Sequence, residues 1–462
     1  MNDAMNEFDG GSFRDPDSRV FLRDGHVLRG LSARGTEEYR AVAKARFFKK
    51  AVEEGRVVRS EERGGEGSWD LVLLHERIPF LSYPYEWGFG MLRDAALLTL
   101  DLQLEALAEG FTLKDGSAYN VQFVGPRAVF IDVGSFERLR PGSVWAGYRQ
   151  FCEHFLYPLM LRAYRGVDPS PWLRGRLDGI PAADAARLLG LRGALKPGVL
   201  SHVILQGRLQ ERHAGDDADL RAEIRDAGFG PELLAAGLKR LRKLAASLRW
   251  EPRASAWSAY GRGAHYSPEE LRAKEAFLRE AAGTRSRPLA WDLGCNRGDY
   301  SRVLAETART VVALDADAAV HERLYRALRE EKGPGRILPL VFDAADPSPD
   351  QGWRGLERRS IQSRGRPDLT AALAVLHHLR LTAGVPTAEL VDWLGSLGGE
   401  VVAEFVAKED PQAARLLVRK DDRYADWTVP AFEAAAARRF TTLRRLQLDG
   451  GRRVLYHLRP RP

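Results

Sequence analysis

The sequence predicts an α/β protein of two domains, with an N-terminal α+β domain over residues 1–249 and a C-terminal domain over residues 250–462. A chain of 462 residues has room for more than one hydrophobic core, at roughly 100–200 residues per domain. From Pro288 onward, short β-rich runs alternate with amphipathic stretches, which is typical of βαβ units and a mainly parallel sheet. Between residues 183 and 249 the apolar spacing is helical, and this stretch closes the first domain.

The composition is that of a globular protein. Hydrophobic residues make up 44% and charged residues 29%, which excludes disordered and fibrous chains. Neither an apolar run of ~20 residues nor a secretory signal is present in the sequence, so we expect no membrane association. Only two cysteines occur, Cys152 and Cys295, which favours a reducing cytoplasm over a disulfide framework. No sequence feature indicates the oligomeric state.

The net charge of +7 comes mainly from the C-terminal half. A basic flank of this kind can attract an anionic substrate, including a nucleic acid, but it can equally be a solvated edge. The arginines near the end of the chain are Arg438, Arg439, Arg444, Arg445, Arg452, Arg453, Arg459 and Arg461.

The first strand of the C-terminal domain is predicted at residues 288–294 (PLAWDLG). It opens into a turn, Asp292-Leu-Gly-Cys-Asn-Arg-Gly298, and a helix is predicted directly after it, over 298–308. Glycines in such a turn remove the Cβ atoms that would keep a nucleotide cofactor away from the backbone. The order of strand, glycine-rich turn and helix therefore predicts a nucleotide site.

Two further predicted strands end in acids. Strand 310–316 carries Asp315, 23 residues after Asp292, and this matches the ~20-residue spacing of an acid that accepts hydrogen bonds from ribose hydroxyls. Strand 337–344 ends in Asp343 and Ala344, and the carboxylate of Asp343 can accept a hydrogen bond from the exocyclic amine of adenine. The carboxyl ends of parallel strands share one edge of a sheet, where ligands bind.

The acid beside the first glycine distinguishes between cofactors. A carboxylate there would repel a pyrophosphate but suits the ammonium group of a methionine moiety. The D-x-G-x-x-x-G motif with its two later acids resembles the class I methyltransferases that use S-adenosylmethionine (SAM). The resemblance implies a Rossmann-like seven-stranded sheet whose last strand is antiparallel. It implies these cofactor-binding residues: Asp292, Gly294, Asn296 and Gly298 for methionine and ribose, Asp315 for the ribose diol, and Asp343 with Ala344 for adenine.

The remaining C-terminal elements fit the same sheet. Residues 370–379 and 399–407 are predicted as the fourth and fifth strands, with a helix at 386–397 between them. A helix at 432–440 precedes two alternating strands around an Asp-Gly turn, which is a strong hairpin signal.

Methyl transfer is an in-line displacement, so the protein mainly positions, desolvates and deprotonates the acceptor. His377 and His378, expected to end the fourth strand, are candidate general bases, and Glu404 in the fifth strand is a third catalytic candidate. Packing of the His pair and an internal ion pair for Glu404 are the alternatives.

Segments after the third and fifth strands, 352–360 and 404–417, are predicted to cap the methyl acceptor. Surface ion pairs would produce the same pattern. The substrate-contact candidates are Arg358, Arg359, Lys408 and Asp410, and the residues that either cover the cofactor or simply pack are Tyr260 and Tyr266.

The N-terminal domain carries a second constellation. Asp115 and Asn120 form a D-x-x-x-x-N pattern, and Asp132 follows in a D-x-G pattern after a β-like run. These motifs resemble the kinase-like fold of aminoglycoside phosphotransferases and small-molecule kinases. The resemblance implies ATP as a ligand, Asp115 as the residue that orients the acceptor, and Asn120 and Asp132 as ligands of Mg²⁺. A strand within 70–87 and a helix at 90–110 would precede the loop.

The N-terminal domain also departs from the kinase pattern. Leu113-Lys114 stands where His-Arg or His-Gly is usual, and the first 60 residues contain no glycine-rich phosphate loop. The lysines at 44, 49 and 50 lie in a helical-looking stretch, so none is a clear ATP anchor. The alternative is an Asx-type turn at Asp115–Asn120 and a strand end at Asp132.

The whole chain resembles a group of bacterial proteins in which a kinase-like region precedes a SAM methyltransferase domain. The leading hypothesis is methyl transfer to an O or N nucleophile of a small or conjugated metabolite, with the kinase-like domain binding substrate or nucleotide. The alternatives are a bifunctional kinase–methyltransferase, a nucleic-acid-modifying methyltransferase, and a scaffold that senses nucleotides without turnover.

Overall fold

The computed structural model of the protein describes residues 7–140, 142–205, 230–252, 267–333, 335–418 and 423–461. Tyr260 and Tyr266 lie outside the described residues. The chain forms two compact units. The first unit comprises Met1–Phe123, Arg127–Glu251 and Asp350–Arg358. The second unit comprises Val124–Pro126, Pro252–Pro349 and Arg359–Pro462.

The short segment Asp350–Arg358 belongs to the first unit, although the sequence assigned it to the C-terminal domain. Its anchor is Glu357, which is 5% exposed and accepts hydrogen bonds from Nε and Nη2 of Arg14, at 3.3 and 2.5 Å. The Arg358 guanidinium lies 4.0 Å from the centroid of the Tyr119 ring. Contacts between residues more than 200 positions apart thus hold this segment in the first unit.

Five strands open the first unit: β1 (Glu7–Phe8), β2 (Ser18–Arg23), β3 (His26–Leu31), β4 (Ser60–Glu62) and β5 (Leu71–His75). They pair antiparallel in the order β1-β2-β3-β5-β4. Asp24 and Gly25 join β2 to β3 with φ angles of 51° and 77°, the left-handed conformation of a tight hairpin turn. Two helices connect β3 to β4: α1 (Ala33–Lys44) and α2 (Arg46–Glu53).

A long buried helix, α3 (Phe89–Ala108), follows the sheet. It is apolar around most of its circumference, as expected for a helix surrounded by protein. Four short strands come next: β6 (Phe111–Leu113), β7 (Val121–Val124), β8 (Arg127–Phe130) and β9 (Phe136–Arg138). β6 pairs with β9, and β7 pairs with β8.

The described remainder of the first unit is helical, as the sequence predicts. Its helices are α4 (Tyr148–Phe151), α5 (Tyr157–Arg165), α6 (Ser170–Gly175), α7 (Ala182–Ala194) and α8 (Pro231–Ser247). A π-helical turn, Cys152–Leu156, joins α4 to α5.

The second unit is built on seven strands: β10 (Arg287–Leu293), β11 (Ala308–Asp315), β12 (Ile337–Val341), β13 (Leu369–Ala372), β14 (Glu400–Val406), β15 (Phe440–Leu448) and β16 (Arg453–Pro460). Their order in the sheet is β12-β11-β10-β13-β14-β16-β15. The neighbours from β12 to β14 are parallel, and β16 is antiparallel to β14 and to β15. The predicted C-terminal hairpin and the antiparallel insertion of the last strand are therefore confirmed.

Helices connect the strands of the second unit: α9 (Pro268–Ala282), α10 (Asp299–Ala305), α11 (Ala318–Glu330), α12 (Leu376–Leu381), α13 (Thr387–Ser396), α14 (Pro411–Leu417) and α15 (Val429–Arg439). Side chains of α9, α10 and α11 pack against the central strands in one core. Members of that core include Phe277, Leu304, Val311 and Leu324. Because parallel strands are covered on both faces, β10 and β11 are nearly continuous apolar runs.

Among the described residues, no helix combines the length and the hydropathy that crossing a bilayer requires. Cys152 and Cys295 are both buried free thiols.

Candidate functional site

A cavity of about 830 Å³ opens at the carboxyl ends of the parallel strands of the second unit. Its wall contains residues that directly follow β10, β11, β12 and β13, together with residues of α9, α10 and α12. Ligand sites of small molecules usually have ~300–1,000 Å³, and in open α/β sheets they lie at this edge.

The glycine-rich turn forms one side of the cavity. The N–H groups of Gly294 and Cys295 donate to the Leu314 carbonyl, at 2.8 and 3.0 Å, which ties the turn to the end of β11. Gly294 has φ = 71°, and a Cβ there would lie 3.1 Å from the Val375 side chain. Gly298, with φ = 79°, begins α10. Both glycines are therefore required by backbone conformation and by the close approach of neighbouring atoms.

Asp315 lines the cavity at the end of β11 and holds the turn in place. Its Oδ2 accepts a hydrogen bond from the Asn296 N–H (3.0 Å), and its Oδ1 accepts one from the Asp317 N–H (2.9 Å). Burial raises the pKa of Asp315 to about 6, so the carboxylate is ionised at neutral pH. Each carboxylate oxygen has two lone pairs, so both oxygens keep the capacity to accept from a ligand hydroxyl.

Asp343 and Ala344 line the next part of the wall, just after β12. The Oδ1 of Asp343 accepts a hydrogen bond from the Ala345 N–H at 2.8 Å, which fixes the loop that follows the strand. Phe342 beside them also belongs to the wall and is 9% exposed.

Asp292 differs from the other two acids. It is 1% exposed and lies outside the cavity wall as far as the described residues define it. Its carboxylate accepts a hydrogen bond from the Ser301 hydroxyl at 2.6 Å, in the first turn of α10. Burial raises the pKa of Asp292 to about 7. Asp315 and Asp343 therefore line the described cavity wall, whereas the carboxylate of Asp292 bonds to Ser301; its contact with a cofactor stays a prediction.

The expected position of the His pair is wrong. The strand β13 ends at Ala372, and His377 and His378 lie in α12. A positive φ of 53° at Ala374 breaks the extended chain between them. Of the two, only His378 belongs to the described cavity wall, and the ring centroids lie 3.9 Å apart. Burial lowers the pKa of His378 to about 4 and that of His377 well below its usual value, so both rings are neutral.

Glu404 is fully buried and does not itself line the described cavity wall, although its partner Lys274 does. Its Oε2 lies 2.6 Å from Nζ of Lys274, and its Oε1 lies 3.2 Å from Nη1 of Arg453. Burial raises the pKa of Glu404, but the two cations lower it, and the net pKa is below its usual value. The catalytic assignment of Glu404 is therefore corrected to an internal ion pair.

Sequence reasoning missed several residues of the wall, above all Lys274 and Tyr300. The spacing of Leu271, Lys274 and Leu278 places the lysine on the apolar face of α9, and this was the signal that could have revealed it. Other cavity residues that the motifs did not indicate are Asp299, Asp317, Leu379 and Thr382.

The predicted acceptor contacts are dispersed. Asp410 accepts a hydrogen bond from Nε of Arg453 (2.8 Å) and caps α14 through the Gln412 N–H. Arg358 belongs to the first unit, whereas Arg359 and Lys408 belong to the second. None of these four lies in the described cavity wall.

The basic C-terminal edge is largely neutralised by ion pairs. The paired residues are Arg439 with Asp392, Arg444 with Glu280, Arg445 with Glu433, Arg452 with Asp449, Arg453 with Asp410, and Arg459 with Glu400. Six of the eight arginines near the end of the chain thus have an acidic partner.

In the first unit, Asp115 and Asp132 lie close together. Burial and then the neighbouring carboxylate of Asp132 raise the pKa of Asp115 to about 6. The Asn120 carbonyl accepts a hydrogen bond from the Ile131 N–H at 2.8 Å, which joins the D-x-x-x-x-N loop to the D-x-G segment. The structure thus brings Asp115, Asn120 and Asp132 together. Among the described residues, no group of three or more His, Cys, Asp or Glu side chains could hold a metal ion.

Sequence reasoning did not indicate Arg29, on β3, as part of this cluster. Its Nη1 lies 2.7 Å from Oδ1 of Asp132, and its Nε donates to Nε2 of His75 at 3.2 Å. Burial and the Arg29 cation lower the pKa of His75 to about 3, so this ring is neutral. The lysines at 44, 49 and 50 lie on α1 and α2, as their helical pattern predicts.

Solved structures resemble part of the chain. The N-methyltransferase NodS from Bradyrhizobium japonicum WM9, in complex with S-adenosyl-l-homocysteine, is 13% identical and covers 42% of this chain and 89% of its own, with a TM-score of 0.30. Magnesium protoporphyrin IX methyltransferase (ChlM) from Synechocystis PCC 6803, with bound SAM, is 17% identical and covers 41% of this chain and 78% of its own, with a TM-score of 0.29.

No protein-family model matches the chain, but a relative matches almost all of it. The nodulation protein NoeA of Rhizobium meliloti (strain 1021) is 34% identical over 455 residues, which are 96% of this chain and 94% of NoeA. Because this identity extends along nearly all of both chains, the protein belongs to the family of the nodulation protein NoeA.

Proposed function

We propose that the second unit binds SAM and transfers its methyl group to an O or N nucleophile of a small or conjugated metabolite. The observation that carries the proposal is the cavity at the ends of β10, β11 and β12. There the glycine-rich turn, the ionised carboxylate of Asp315 and the Asp343–Ala344 pair share one wall. The relative NoeA is named for nodulation, and we propose that this chain serves the same process.

The residues of the wall fit the parts of this cofactor in order along the sheet. The oxygens of Asp315 accept from the two ribose hydroxyls, while Asp343 accepts from the adenine amine and Phe342 covers the base. Gly294, which lines the cavity and has no side chain, lies beside the sulfur and the methionine chain. Carboxylates on the wall also favour a positively charged sulfonium over a neutral or anionic ligand.

The bound cofactor supplies an activated methyl group on a good leaving group. The tasks that remain for the protein are to bind the acceptor, to align it opposite the sulfur, to exclude water and to accept a proton. His378 is the candidate proton acceptor on the wall, because burial keeps its imidazole neutral. Leu379 and Thr382, on the same side, are candidates for positioning the acceptor.

Isothermal titration of the purified full-length protein with SAM, S-adenosylhomocysteine and Mg-ATP tests the proposal. We expect stoichiometric binding of the first two ligands, and a loss of at least tenfold in affinity with Asp315→Ala, since the substitution removes both ribose acceptors. Asp346→Ala, just past the wall, is the matched control and should bind normally. Absence of binding, or an Asp315→Ala variant with unchanged affinity, would refute the proposal.

We propose ATP-dependent phosphoryl transfer by the first unit as a second candidate function. The proximity of Asp115, Asn120 and Asp132 after a five-stranded antiparallel sheet favours a kinase-like fold. The ion pair between Arg29 and Asp132 weighs against Mg²⁺ at this carboxylate in the arrangement described. Transfer of radioactive phosphate from ATP that disappears with Asp132→Ala would support the candidate, and no transfer to any metabolite fraction would exclude it.

A further inference from the structure

A buried positive charge lies in the wall of the cavity, and neither the motifs nor the proposed function assigns it a ligand. Lys274 on α9 is 1% exposed and belongs to the wall. Burial lowers the pKa of Lys274 below its usual value, although the carboxylate of Glu404 at 2.6 Å opposes this shift. A desolvated ammonium group costs several kcal/mol unless it is paired. The ion pair with Glu404 offsets this cost and places an ammonium group at the edge of the cavity.

Lys274 belongs to a group of four buried charges. One carboxylate oxygen of Glu404 contacts Lys274 and the other contacts Arg453. Nε of Arg453 in turn lies 2.8 Å from Oδ2 of Asp410. The set contains two cations and two carboxylates, so it is neutral as a whole. An ammonium group has three N–H donors, so Lys274 can contact more than one acceptor.

The position of Lys274 identifies which end of the cofactor it faces. Its Nζ lies 5.5 Å from the ring centroid of Tyr300, the second residue of α10, and the N-cap of this helix is Gly298 of the glycine-rich turn. Its partner Glu404 lies on β14, two strands from β10 in the sheet order. Asp343 follows β12, which lies two strands from β10 in the other direction. Adjacent strands are ~4.8 Å apart, so the lysine and the adenine-side acid are at opposite ends of the cavity.

Resting on the proposed function, we propose that Lys274 binds the carboxylate of the amino-acid moiety of the cofactor. The acidic groups on the wall, Asp299, Asp315, Asp317 and Asp343, would repel that carboxylate. The wall, as far as the described residues define it, contains one cation besides Lys274, the exposed Arg297 of the glycine-rich turn. Glu404 and Arg453 act through Lys274 as positioning residues, since they fix the ammonium group without lining the described cavity.

The test compares two ligands by titration calorimetry. S-Adenosylhomocysteine carries the amino-acid moiety, whereas 5′-methylthioadenosine has the same nucleoside and sulfur without it. We expect Lys274→Met to weaken the binding of S-adenosylhomocysteine at least tenfold and that of 5′-methylthioadenosine less than twofold. Lys332→Met removes an exposed lysine of the same unit and should change neither affinity.

Each outcome decides between the two claims. If the wild-type protein binds neither ligand, the proposed function falls and this inference with it. If the wild type binds both and Lys274→Met weakens both equally, or neither, only the inference is overturned. If Lys274→Met does not fold, the double variant Lys274→Met/Glu404→Leu, which removes both charges, replaces it. The same two affinities are then measured, with the same expected results. Decarboxylated S-adenosylhomocysteine should in addition bind the wild type at least tenfold more weakly than S-adenosylhomocysteine, and equal affinity would overturn the inference.

Discussion

Replacing Glu404 by Gln should destabilise the second unit far more than it affects the chemical step. The carboxylate is fully buried between Lys274 and Arg453, at 2.6 and 3.2 Å. Arg453 keeps Asp410 at 2.8 Å after the substitution, so Lys274 is the cation that loses its ion pair with Glu404. Breaking a buried pair in this way costs about 3–5 kcal/mol, and Gln retains one acceptor oxygen, so we expect about 3 kcal/mol.

Scanning calorimetry of the full-length protein measures this loss. Adding S-adenosylhomocysteine identifies the unfolding transition of the second unit. A ligand stabilises the unit that binds it, so this transition moves to a higher temperature. A unit of this size loses about 2–4 °C per kcal/mol, so its midpoint should fall by about 10 °C. As a control, Glu306→Gln breaks the exposed pair with Arg279 and should cost no more than about 1 kcal/mol.

The variant Lys274→Met/Glu404→Leu separates an internal ion pair from a catalytic carboxylate. Because it removes both charges, it should regain most of the stability that Glu404→Gln loses. The reasoning fails if Glu404→Gln has the melting temperature of the wild type but no methyl-transfer activity, because a catalytic carboxylate would give that result.

Three other predictions follow from single residues of the site. The affinity for S-adenosylhomocysteine should fall up to about tenfold per pH unit below pH 6, where Asp315 gains a proton, and titrations of Asp315→Asn should be flat over this range. Asp292 has a folded pKa of about 7, above its unfolded value, so its stabilising contribution at acid pH is lost as the pH rises from about 4 to 7. Asp292→Asn should therefore raise the melting temperature at pH 8 but not at pH 4, and an equal shift at both would contradict the assignment. Gly294→Val places a β-branched residue at φ = 71°, with its Cβ 3.1 Å from Val375, so it should lower the free energy of unfolding by about 1–3 kcal/mol and weaken cofactor binding. As a control, Gly333→Ala, where a Cβ meets open space, should change neither the melting temperature nor the cofactor affinity.

The sequence predicted the sheet and the cofactor edge because both depend on local patterns. Alternating apolar runs and amphipathic helices specify the βαβ units, and the spacing of acids after the strands places Asp315 and Asp343 at one edge. Asp292 lies in the same motif, but which way its side chain faces depends on the pleat and on Ser301 nine residues later. The spacing of a motif alone does not show whether an acid faces the cavity, as Asp315 does, or bonds within the protein, as Asp292 does.

The errors concern contacts that are distant in the chain. The partners of Glu404 lie 130 and 49 residues away, so an apolar strand with one acid gave no sign of them. The run before His377 is apolar and reads as either a strand or a helix, and the left-handed Ala374 decides between them. Arg29 stands in an ordinary strand pattern, and only folding brings it to Asp132, 103 residues away.

A crystal structure of the full-length protein with S-adenosylhomocysteine tests the central claim most directly, because it measures the ribose contacts themselves. The account predicts that both ribose hydroxyl oxygens lie about 2.5–3.0 Å from the carboxylate oxygens of Asp315, with the adenine beside Asp343. A ligand bound elsewhere, or a ribose that does not contact Asp315, would contradict it.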